Sequence, residues 1–171
     1  MKLTICIVTK DRPVELQRAL ESIHQQTQLP NQVIIVDSST TPFQMPPELR
    51  VQLPWQLHTS EPGITRQRNV ARQYIAPDTD IVLYIDDDVV LKPNTLEQLC
   101  QSFQQHPEAT GITGTMLGEP TPRFLKKLVG AVTLLHTTKP FGITSGLFNL
   151  INEAPSWQEG DWLPGAFMAW R

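Results

Sequence analysis

A three-layer α/β/α sandwich around a mostly parallel sheet is predicted by three features of this 171-residue sequence. Short segments rich in β-branched residues recur along it, apolar on both faces as strands covered from both sides are. Between them lie stretches whose apolar residues recur at helical spacing. Each apolar segment ends in polar or acidic residues, the place where open α/β sheets bind ligands.

The elements follow in order. Leu3 to Val8 reads as the first strand. Asp11 is expected to cap a helix that carries Pro13 in its first turn, Leu16, Ala19, Leu20 and Ile23 on one face, and an end near Gln28-Leu29-Pro30. Gln32 to Val36 is a second buried strand ending at Asp37, so the chain opens with a right-handed strand-helix-strand unit. Pro42 to Pro54, with four prolines, reads as irregular connection, and Trp55 to His58 as a short strand. A helix is expected from Gly63 to about Ile75, with Val70, Ala71 and Tyr74 inward and Arg66, Arg68 and Arg72 on the polar side. Ile81 to Ile85 is an apolar strand that runs into Asp86-Asp87-Asp88. Leu96, Leu99, Cys100 and Phe103 mark a third helix, and Thr110 to Thr115 a further strand. Beyond Leu117 the pattern weakens to a helix over 123–135 and a loop-like stretch over 137–146.

Composition narrows the partners. A net charge of -3 with 40% hydrophobic residues describes an ordinary globular chain and provides no basic surface for nucleic acid or an anionic membrane. The two cysteines, Cys6 and Cys100, lie within apolar periodic segments and read as buried thiols, in keeping with a reducing, cytoplasmic setting. The N-terminal apolar run is too short for a signal peptide, and no stretch reaches the ~20 apolar residues of a membrane helix. His24, His58, His106 and His136 lack metal-ligand spacing, and Tyr74 and Phe103 read as core aromatics.

The polar residues at the strand ends carry the chemistry. Thr9, Asp37 and the triplet Asp86 to Asp88 all follow apolar strands, so four carboxylates are expected on one rim. Two carboxylates about 4 Å apart repel by about 4 kcal/mol at an effective dielectric of 20, so such a cluster needs a cation, a basic partner or a proton. Hard Mn2+ or Mg2+ satisfies carboxylate oxygens and keeps positions open for phosphate. In an extended segment Asp86 and Asp88 point to one side, as the working pair, and Asp87 points away in a supporting role.

Four segments, Thr4 to Arg12, Val33 to Ser39, Arg66 to Ala71 and Leu83 to Asp88, stand in an order and spacing that resemble the family 2 glycosyltransferases of GT-A (Rossmann-like) fold over the first 120 residues. The resemblance implies inverting transfer of a sugar from a nucleoside diphosphate sugar, UDP-sugars favoured, to an acceptor hydroxyl on a sugar, lipid or protein. It implies Thr9 and Asp37 in the nucleoside pocket, Arg68 near the base or diphosphate, and Asn69 shaping a turn. Asp86 would lie near the ribose or a metal-bound water, with Asp87 beside the donor and Asp88 holding Mn2+ or Mg2+. Gly165 and Ala166 resemble a segment on the acceptor and donor-sugar side. The family's acidic run after the second strand is replaced here by Ser38-Ser39-Thr40-Thr41.

Inverting transfer needs a base near the acceptor hydroxyl. The family's acidic motif for that task has no counterpart before Arg171; of the nearby carboxylates Glu153, Glu159 and Asp161 none stands in a matching context, and Asp161 is the one candidate, so the catalytic base is expected to be absent from this stretch. The chain is therefore expected to be one GT-A-like domain truncated at its C-terminus, with residues 1–120 as the donor half and 121–171 opening the acceptor half. Two alternatives stay open, a nucleotide-sugar-binding module without catalysis and a nucleotidyltransferase. The second is disfavoured because Thr9-Lys10-Asp11-Arg12-Pro13 lacks the glycines of a triphosphate loop.

Overall fold

The computed structural model describes residues 1–51, 54–114 and 166–171, together with the backbone of the strands at 141–143 and 149–151. Two compact units emerge, Met1–Ile112 with Gly165–Arg171 and Thr113–Pro164. In the first, β1 (Leu3–Thr9), β2 (Gln32–Asp37), β3 (Trp55–Thr59), β4 (Ile81–Asp86), β5 (Gly111–Ile112) and β8 (Phe167–Trp170) form one sheet in the order β3-β2-β1-β4-β8-β5. β1 pairs in parallel with both β2 and β4, and β2 with β3, whereas β8 runs antiparallel between β4 and β5.

Strand alternation sorts the core into two layers. Leu3, Ile5, Ile7, Val33, Ile35, Ile81, Leu83 and Ile85 face α1 (Pro13–His24) and α4 (Thr95–Gln105). Cys6, Val8, Ile34 and Val36 face α3 (Ile64–Arg72), with Ala71. The predicted inward faces hold: Leu16, Ala19, Leu20 and Ile23 of α1 are buried, as are Leu96, Leu99, Cys100 and Phe103 of α4. Pro13 occupies the first turn of α1, where its missing N–H leaves no bond unmade.

Several local expectations are corrected. Asp11 does not cap α1; the cap position is Arg12, whose side chain makes no capping bond to the helix. Asp11 instead takes a positive φ of 54°, a region that Asp tolerates better than most residues, and clasps the loop after β2. α1 stops at His24 rather than near Gln28 because Gln26 turns inward. Its amide donates to the carbonyls of Ser22 (3.0 Å) and Lys92 (2.7 Å) and accepts from the Leu96 N–H (3.0 Å), tying the end of α1 to the start of α4. The proline-rich connection contains one short helix, α2 (Pro47–Arg50). Tyr74 is 41% exposed and stacks on His58, ring centroids 3.5 Å apart, because α3 ends at Arg72 before the helical face reaches it. β5 is only two residues long, since its pairing with β8 spans only Gly111↔Trp170 and Ile112↔Ala169.

In the second unit, β6 (Phe141–Ile143) pairs antiparallel with β7 (Asn149–Ile151). β6 falls where a loop was expected, being too short to leave a periodic signal. The helix expected over 123–135 lies outside the described residues. No helix among the described residues is long and apolar enough to cross a membrane.

Candidate active site

Strand parity decides which rim residue meets which helix. Asp86 continues the face of Val82 and Tyr84, which is the α3 side, and there Arg68 reaches it, Nη2 to Oδ1 3.3 Å. The same guanidinium lies over the Tyr84 ring at 5.9 Å. Thr9 continues the face of Ile7 on the α1 side, beside Asp87, and its hydroxyl donates to Asp87 Oδ2 at 2.7 Å. β4 ends at Asp86, and Asp87-Asp88 form a turn, so the alternation expected to align Asp86 with Asp88 is broken there.

The turn instead groups Asp87 with Asp88 through Arg12, a residue to which sequence reasoning assigned no role. One guanidinium nitrogen donates to Asp87 Oδ1 (2.8 Å) and the other to Asp88 Oδ2 (3.0 Å). Arg12 stands at the start of α1, in the turn that follows β1, and the parallel pairing of β1 with β4 brings that turn beside Asp87 and Asp88. The Asp87 side chain is 6% exposed and the Asp88 side chain 51%, so the fork holds one shielded carboxylate and one open to water. Burial pushes the Asp87 carboxyl above its ordinary pKa, while the Thr9 hydroxyl and Arg12 pull it back. Burial likewise raises Asp86, opposed by Arg68 and reinforced by the neighbouring aspartates. Of the three remedies open to a carboxylate cluster, basic partners are the one these side chains display. Among the described residues no group of three or more His, Cys, Asp or Glu converges as a metal site.

Asp37 stands on the same rim but faces its own loop. It is 2% exposed, and its oxygens accept from the Ser39 N–H (2.8 Å) and the Phe43 N–H (2.7 Å). The loop it shapes is clasped to the end of β1: the Asp11 N–H donates to Ser39 Oγ (2.7 Å) and the Thr40 N–H to Asp11 Oδ1 (3.0 Å). These two loops enclose a cavity of about 250 Å³ lined by Thr9, Asp11, Pro13, Ser39, Thr40 and Phe43, among others. Thr9 thus belongs to the cavity wall and to the acidic turn at once.

A second residue without an assigned role is Gln67, 5% exposed, whose amide donates to the carbonyls of Thr9 (2.8 Å) and Val36 (3.1 Å) and so stitches together the ends of β1 and β2. Its spacing four residues before buried Ala71 was the available signal, masked by the flanking arginines. Asn69 lies within α3 and is exposed, so it shapes no turn. Ala166 is brought to the triplet, its carbonyl accepting from the Asp86 N–H at 3.2 Å. Asp161 and Gly165 lie outside the described residues.

A comparison with curated proteins finds no match. Among solved structures, the chain is similar to S. aureus TarS 1-349, with 21% identity over 82% of this chain and 41% of that one and a TM-score of 0.60. The same protein in complex with UDP gives 22%, 72%, 38% and 0.58. Mannosyltransferase PcManGT from Pyrobaculum calidifontis, in complex with GDP-Man and Mn2+, gives 16%, 99%, 44% and 0.63. At these identities the likeness is one of fold, and the chain spans less than half the length of each of these structures. The family model described as Glycosyltransferase like family 2 matches residues 2–145. The fold is GT-A-like, and with the family match covering most of its length the chain belongs to the family 2 glycosyltransferases.

Proposed function

We propose that this chain forms the donor-binding part of an inverting glycosyltransferase that moves a sugar from a nucleoside diphosphate sugar, UDP-sugars favoured, to an acceptor hydroxyl. The observation that carries this reading is the cavity at the ends of β1 and β2, whose wall residue Thr9 is hydrogen-bonded to the acidic turn. At about 250 Å³ it falls just below the ~300–1,000 Å³ of sites for whole drug-sized ligands and suits a single nucleoside. A base seated there leaves its diphosphate directed along the rim toward Asp86 to Asp88 and Arg68.

Thr9 lines the nucleoside seat, and Asp37 builds it by holding Ser39 and Phe43 in place. Arg68 faces the diphosphate, and Asp87 supports the turn from beneath. Asp86 and Asp88 would hold Mn2+ or Mg2+: their side chains, 35% and 51% exposed, carry hard oxygen donors, and two carboxylates leave coordination positions for phosphate oxygens. Such an ion supplies Lewis-acid stabilisation of the departing diphosphate. Gly165 and Ala166 are assigned to the sugar side, and Asp161 is kept only as a candidate for the acceptor's base; the acceptor is a sugar, lipid or protein hydroxyl. The free thiols of Cys6 and Cys100 support a cytoplasmic setting.

Calorimetric titration with UDP, GDP and CDP, in Mn2+ and in chelator, tests the reading. Binding of a nucleoside diphosphate that depends on metal and is lost in Asp88→Ala is the expected result. Absence of binding to all three under every metal condition would overturn it.

A further inference from the structure

The carboxylates at the end of β4 already have resident cations. Asp86 is paired with Arg68, and Asp87 and Asp88 share Arg12, so three carboxylates and two guanidinium groups leave one net negative charge. Glu15 adds its field to Arg12 and Asp87. The Arg12 fork is asymmetric: its bond to Asp87 is shielded by burial, whereas its bond to Asp88 lies between side chains 45% and 51% exposed. Asp88 can therefore exchange its partner while Arg12 stays anchored on Asp87.

A divalent ion arriving alone meets a turn of low net charge with a guanidinium already on Asp88. A nucleoside diphosphate changes that balance by bringing further negative charge to the same rim. We infer that Arg12 is a positioning residue that makes divalent-cation binding at Asp88 depend on the nucleotide, holding Asp88 and opposing capture of a free ion until the diphosphate arrives. This rests on the donor-site reading above. By linkage the effect is reciprocal: whatever factor UDP adds to cation affinity, the cation adds to UDP affinity.

Electron paramagnetic resonance of free Mn2+, titrated with the full chain in the absence and presence of UDP, reads the coupling directly. In the unmodified chain UDP tightens Mn2+ binding at least tenfold. In Arg12→Gln, Mn2+ alone binds roughly tenfold tighter, the order expected when a neighbouring like-signed unit charge is removed from beside a divalent ion in a water-like dielectric. The gain produced by UDP shrinks by a similar factor. Arg12→Lys keeps the charge but cannot span two carboxylates, and falls between the two. If both variants bind UDP yet hold Mn2+ no more tightly than the unmodified chain, the inference is overturned while the donor-site reading stands. If the unmodified chain binds neither UDP nor Mn2+, both are overturned.

Discussion

Replacing Asp37 separates two roles for the carboxylate on β2, ligand contact and loop construction. In the structure both of its oxygens are engaged by backbone, Ser39 N–H at 2.8 Å and Phe43 N–H at 2.7 Å, in a residue only 2% exposed. Hydrogen bonds to an ionised acceptor contribute about 1.5–3 kcal/mol each, and a buried N–H left unpaired adds its own desolvation cost. Asp37→Ala, which loses both, is expected to cost about 3–5 kcal/mol. Asp37→Asn keeps one acceptor and turns an amide N–H2 toward a backbone donor, for about 2–3 kcal/mol. Urea unfolding followed by tryptophan fluorescence measures this: at a slope of about 2 kcal/mol/M, Asp37→Asn lowers the midpoint by about 1 M or more. UDP affinity falls with it, because Phe43 forms part of the cavity wall. The reasoning is refuted if Asp37→Asn unfolds within about 0.5 kcal/mol of the unmodified chain and yet loses UDP binding, since the carboxylate would then serve the ligand and not the loop.

Gln67→Ala removes the amide that bridges the Thr9 and Val36 carbonyls and should cost about 2–3 kcal/mol by urea unfolding, with UDP affinity reduced as the ends of β1 and β2 loosen. A change within experimental error would show that the stitch contributes nothing. Burial against Tyr74 holds the His58 imidazole below its ordinary pKa of 6.5. The folded-state value being depressed, this contribution to stability is complete above pH 6.5 and is lost as pH falls through the folded-state pKa. An NMR titration should place His58 below 6.5, and Tyr74→Ala should move it upward; a midpoint at or above 6.5 contradicts the assignment. The Cys6 thiol, 1% exposed and pushed by burial up to about 12, should resist a thiol reagent at pH 8 until the chain unfolds. Rapid labelling of native Cys6 would contradict that burial.

The sheet was legible in the chain because its central strands are written as continuous apolar runs, buried on both faces in β1 and β2 and on one face with the other half-covered in β4. Leu3 to Thr9, Gln32 to Asp37 and Ile81 to Asp86 sit where those runs place them, and α1 and α4 bury the residues their spacing selects. Local pattern does not place β8, a four-residue strand at an apolar stretch whose position between β4 and β5 depends on pairings more than 50 residues apart in sequence. It was silent on Gln26 and Gln67, polar residues whose inward turn makes sense only when carbonyls from other elements meet them.

The candidate site divides along the same line. Sequence by itself determined that Thr9, Asp37 and Asp86 to Asp88 gather at the strand ends, since each directly follows a run that must be buried, and that a carboxylate cluster there requires positive charge. Tertiary structure alone decided where that charge comes from and which oxygens remain open. Arg12 lies 75 residues from Asp87, and only the parallel pairing of β1 with β4 brings the turn after β1, and with it the Arg12 guanidinium, to Asp87 and Asp88. A pairing of that kind leaves no periodicity to read, because it is fixed by the packing of two elements against each other and not by the spacing of residues within either.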